Sequence, residues 1–99
     1  MAAQYAEIVE AGDNTFTSPL TLRGRISAYV SETSPPWNGV VHVQRRYKQP
    51  GGEWSSWLTV EALPMAGLVT LVEHEADVQF RIGNPEALAG GHPLMRLSL

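Results

Sequence analysis

Apolar and polar residues alternate along most of this chain, and the alternation is interrupted only at turns. Between Leu20 and Val30, one face carries Leu20, Leu22, Gly24, Ile26, Ala28 and Val30. The other carries Thr21, Arg23, Arg25, Ser27 and Tyr29. A period of two marks a strand buried on one side only. Val41, Val43, Arg45 and Tyr47 oppose His42, Gln44, Arg46 and Lys48 in the same way. Trp54, Ser56, Leu58 and Val60 then oppose Ser55, Trp57, Thr59 and Glu61, a phase that predicts Trp54 in the core. Leu68 to Glu73, Val78 to Ile82 and Leu94 to Leu99 repeat the rule, with Val78, Phe80 and Ile82 pointing inward.

The interruptions are turn formers. Gly12-Asp13-Asn14, Ser34-Pro35-Pro36, Pro50-Gly51-Gly52 and the Gly- and Pro-rich stretch from Asn84 to Pro93 punctuate the strands. Proline lacks the donor that a ladder needs, and glycine supplies the positive φ of a tight hairpin. Gly24, inside a strand run, marks a bulge or bend. No stretch has helical periodicity. Short strands separated by turns predict an all-β fold: a single antiparallel β-sandwich, immunoglobulin-like, with a small β-barrel as the alternative. Residues 15–99 form the sandwich domain. Residues 1–14, weakly patterned, are an N-terminal arm or an edge strand.

Composition narrows the function. At 99 residues the chain is one domain with room for one core. Its 17% charged residues and net charge of −3 do not describe a nucleic-acid binder. It has no cysteine, hence no disulfide, thiolate metal site or thiol nucleophile. No apolar run reaches the ~20 residues of a membrane-spanning helix, and the first residues lack the pattern of a signal peptide.

Catalytic chemistry finds little to work with. His42, His74 and His92 are scattered over a strand and two turns. Glu73-His74-Glu75 projects in alternating directions, whereas a metal needs three or four convergent ligands. No serine sits in a nucleophile-elbow pattern. Glu73, Glu75 and Asp77 form the one tight acidic cluster, in a turn where carboxylates are solvated. The expectation is no catalytic residue, no metal and no cofactor.

Recognition chemistry is better represented. If the strands starting near Val40, Val78 and Leu94 are neighbours, His42, Gln44, Arg46, Gln79, Arg81 and Arg96 share one outer face. Such a stripe suits an acidic protein partner, because guanidinium pairs with carboxylate in a planar fork. The same stripe also fits a plain solvated sheet face. Arg45 is the exception, since alternation places it with Val41 and Val43. Trp37 and Trp57 are the aromatic anchor candidates, tryptophan being enriched at interface hot spots. The alternative is that they cap the ends of the core.

Trp37-Asn38-Gly39-Val40-Val41-His42-Val43-Gln44-Arg45-Arg46 is followed by Gly51-Gly52-Glu53-Trp54, then by Glu75-Ala76-Asp77-Val78-Gln79-Phe80-Arg81-Ile82 and a closing Met95-Arg96-Leu97-Ser98. In this order, over residues 15 to 99, the chain resembles small β-sandwich virion proteins of tailed bacteriophages. The resemblance implies a non-enzymatic structural protein in the virion, assembled in the host cytoplasm, most simply a capsid decoration protein. It implies major capsid or other virion proteins as partners and a homo-oligomer, with a trimer favoured. A tail or neck component, a carbohydrate- or receptor-binding module and a stand-alone adaptor are the alternatives. No nucleic acid and no membrane is expected as partner.

Overall fold

Two of the alternating runs in the first half of the chain pair with later runs, one in each of two separate sheets. The computed structural model describes residues 5–9 and 12–99. Among these residues the strands are β1 (Tyr5–Ile8), β2 (Thr15–Phe16), β3 (Leu20–Thr21), β4 (Gly24–Val30), β5 (Val41–Tyr47), β6 (Leu58–Leu63), β7 (Gly67–Glu73), β8 (Val78–Asn84) and β9 (Met95–Ser98). One sheet has the order β1-β9-β4-β7. The other has β2-β8-β5-β6, with β3 also on β8. Every ladder is antiparallel. The protein is therefore all-β, two antiparallel sheets packed face to face, as the alternation predicts.

The inward positions form one core. Ile26, Ala28 and Val30 of β4, Val41 and Val43 of β5, Val78, Phe80 and Ile82 of β8, and Met95 and Leu97 of β9 are all buried. Each large side chain among them contributes roughly 1.5–3 kcal/mol by leaving water. Leu22, Leu63, Trp37 and Leu88 close the ends of this slab.

Three sequence expectations change. The run from Leu20 to Val30 is not one strand. Leu20 and Thr21 pair with Phe80 and Gln79, and the Leu22 amide still bonds the Val78 carbonyl at 3.2 Å. The chain then crosses to the other sheet at Gly24, whose φ of +97° turns the corner. Both sheets face the same core, so the alternation continues unbroken through the crossing.

Trp54 is not a core residue. Past the turn it bridges Lys48, and opposite residues in a ladder share a face. Lys48 lies on the outer face with Arg46, so Trp54 does too. A register shift against Val43 and Gln44 then reverses the phase again, leaving Leu63 as the buried residue of β6.

The last strand lies elsewhere than expected. The β4–β7 and β5–β8 pairs sit in opposite sheets, as the central pairs of an immunoglobulin sandwich do. An immunoglobulin order would set β9 beside β8. Here β9 lies between β1 and β4. Of the expected N-terminal arm, residues 1–4, 10 and 11 lie outside the described residues, and Tyr5–Ile8 forms the edge strand β1.

Arg45, the charged residue on an inward phase, crosses the gap between the sheets. Its Nη1 donates to Glu73 Oε1 at 3.0 Å, joining β5 to β7. Its guanidinium also lies 5.2 Å from the centre of the Tyr47 ring. Burial raises the Tyr47 phenol above its ordinary value of 10.0, and Arg45 offsets only part of that rise. Folding therefore holds this proton more tightly than the unfolded chain does. The resulting stability is complete below the ordinary tyrosine value and is lost as pH climbs through the raised one. Denaturant unfolding followed through an alkaline series should show stability falling above about pH 10. The fall should be shallower in Tyr47→Phe.

Among the glycines, Gly83 is approached most closely by its neighbours. A Cβ there would meet Thr15 O and come within 2.6 Å of Phe16 Cα, both on backbone that cannot swing aside. Gly83→Ala should cost about 1–3 kcal/mol through overpacking, read as a lower denaturation midpoint.

Candidate functional site

The outer face of the β8–β5 pair collects the polar alternation of both strands. The register sets Gln44 opposite Arg81 and Arg46 opposite Gln79. Each arginine is held by the glutamine across from it. Arg46 Nε and Nη2 both donate to Gln79 Oε1, at 2.9 and 2.7 Å. Arg81 Nε donates to Gln44 Oε1 at 2.8 Å. Gln44 Nε2 in turn donates to the Thr59 hydroxyl at 3.2 Å, and His42 Nδ1 lies 3.1 Å from that same hydroxyl.

Each guanidinium lies over two aromatic rings. Phe16 lies 3.9 Å and Trp57 4.3 Å from Arg81, measured from ring centre to the guanidinium carbon. Trp57 is also 4.5 Å from Arg46, and Trp54 is 5.1 Å from it. The contacts therefore run Phe16, Arg81, Trp57, Arg46, Trp54, with ring and cation alternating. Trp57 is delivered by the short segment between Trp54 and β6. Ser55 pins that segment: its amide donates to the Tyr47 carbonyl at 2.8 Å, and its hydroxyl accepts from the Tyr47 amide at 2.9 Å.

The electrostatics of this ladder are one-sided. Among the described residues, the one ion pair is Arg45–Glu73 on the other side of the sheet. Arg46 and Arg81 have glutamine oxygens where many arginines have carboxylates. Burial, and after it the charge of Arg46, lowers Arg81 from the ordinary arginine value. The face is a pair of partly desolvated cations, oriented and short of negative charge.

The structure brings together His42, Gln44, Arg46, Gln79, Arg81 and Trp57. It separates two other sequence candidates. Arg96 lies on the opposite sheet, with its guanidinium 4.6 Å from the Tyr5 ring, because β9 pairs with β4 rather than β8. Trp37 is buried, and its indole Nε1 donates to the Ser31 carbonyl at 3.0 Å. It closes one end of the core under the loops around Asn38 and Ala89, which bond each other reciprocally. Phe16 and Trp54 are members that the alternation did not reveal. The hairpin register, with Trp54 across from Lys48, was the signal that would have found Trp54. Among the described residues, no three His, Asp or Glu side chains are grouped to hold a metal ion.

Comparison with protein-family models, with curated proteins and with solved structures finds no match.

The stacking is measurable in solution. A double-mutant cycle on stability with Arg81→Met and Trp57→Ala should give a coupling of roughly 0.5–2 kcal/mol. A coupling near zero would mean that the ring and the cation do not interact.

Proposed function

We propose that this protein is a non-enzymatic structural component of a tailed-phage virion that docks on the capsid, as a decoration protein, through the ladder on its β8–β5 face. The observation that carries the docking surface is the pair of arginines lying over aromatic rings without carboxylate partners among the described residues. Glutamine holds each guanidinium in place but leaves its charge uncompensated. An acidic segment of a capsid protein would supply that compensation. Its carboxylates would meet donors already oriented, so little side-chain freedom is lost on binding. Trp57 and Trp54 add apolar area beside the charges, the combination that concentrates binding energy in few residues. The virion assignment takes its support from the resemblance carried by Trp37 to Arg46, Glu75 to Ile82 and Met95 to Ser98.

Cosedimentation with intact particles from the protein's own source tests the reading. The protein should pellet with heads, and the bound fraction should fall as salt rises. Arg46→Glu with Arg81→Glu should weaken binding at least about tenfold, the equivalent of losing one charged contact of ~1.4 kcal/mol. Protein that stays in the supernatant with heads and tails alike overturns the virion assignment. Binding that ignores both substitutions overturns the docking face.

A further inference from the structure

Four strand edges border the two sheets, and three of them are blunted. β2 and β3 are two residues each, separated by a segment containing Pro19. β6 carries the register shift and Glu61. β1 is four residues long and places Glu7 outward and exposed. Short strands, bulges and charges are how sheets avoid pairing with other chains.

β7 has none of these protections. It pairs with β4 over its full seven residues, Gly67 to Glu73, and among the described residues no strand covers its other side. Gly67-Leu68-Val69-Thr70-Leu71-Val72 contains no charge and no proline. Its outward side chains are exposed apolar groups, Leu68 at 63% and Val72 at 53%, with Thr70 exposed between them.

The geometry points to a second copy of this chain as the occupant of that edge: we infer that β7 pairs antiparallel with β7 of another molecule about a two-fold axis at Thr70. Antiparallel partners share a face of the joined sheet only when the axis passes through a residue. With Thr70 on the axis, all seven residues find partners. Leu68 meets Val72 of the second copy on the outer face, and Val69 meets Leu71 on the inner. Glu73 lies opposite Gly67, so no like charges meet. The edge is thus complementary to itself, which a two-fold interface requires. The contact closes at two subunits, where the family resemblance favours three. It lies on the sheet opposite the arginine ladder and does not depend on that ladder's role.

Light scattering over a concentration series should show the wild-type mass rising to twice that of the monomer. Thr70→Lys sets two ammonium groups face to face on the axis, and Thr70→Glu two carboxylates. Each variant alone should be monomeric, with dissociation at least about tenfold easier, and circular dichroism should report an intact fold. An equimolar mixture of the two should recover the doubled mass. Thr70→Cys, the sole cysteine in the variant chain, should cross-link into a dimer under mild oxidation, because paired strands bring such Cα atoms within disulfide range. A wild-type monomer at every concentration overturns the pairing. So does an oligomer that survives Thr70→Lys, or a mixture that remains monomeric.

Discussion

Both sheets of this protein must cover one slab of apolar side chains, and that shared core governs the rest of the structure. Every long strand has to present an apolar residue at each second position. The positions between are then free of any packing duty. On β4, β5, β8 and β9 the inward set is almost entirely Val, Ile, Leu, Met, Phe and Ala. The outward set of β5 and β8 is polar and basic, and no demand of the fold requires two arginines there. Among the inward positions that depart from this set are Asn84, whose amide donates to the Gly12 and Glu86 carbonyls, and Arg45, which a carboxylate from the opposite sheet meets. Glu73 is the buried member of that pair, and its charge needs such a partner because its desolvation is otherwise uncompensated.

The arginines on the outer face are handled differently from Arg45. Arg45 has its counter-ion within the chain, while Arg46 and Arg81 are given aromatic rings beside them and a neutral amide as hydrogen-bond partner. Rings and amides restrict a guanidinium without neutralising it. The arrangement holds charge in readiness and keeps it available. That separates this face from the solvated lysine and glutamate fringe of an ordinary sheet, where long side chains remain mobile.

The two surfaces singled out lie on opposite sheets. Pairing through β7 extends the β1-β9-β4-β7 sheet and leaves the β8–β5 face of each copy open. A dimer of this kind would carry two copies of the face proposed to dock. A lattice of repeated subunits rewards that arrangement, since the second contact forms at the high effective concentration set by the first.

Much of this was legible from residue order alone. Period-two alternation identified the inward sets of β4, β5, β8 and β9, because a pleated strand buried on one side leaves no other pattern. It also identified the outward group of His42, Gln44, Arg46, Gln79 and Arg81. What alternation could not carry was which strand stands beside which. Leu20 to Val30 keeps its phase while changing sheets at Gly24, since either sheet presents its apolar face to the same core. Alternation groups Arg96 with the other arginines, whereas β9 pairs with β4, and it puts Trp54 in the core, whereas the hairpin sets it across from Lys48. Pairing and register depend on contacts between residues far apart in the chain, and a local period holds no information about them. The alternation therefore determined which side chains face inward, and only the tertiary structure decided which outward side chains meet.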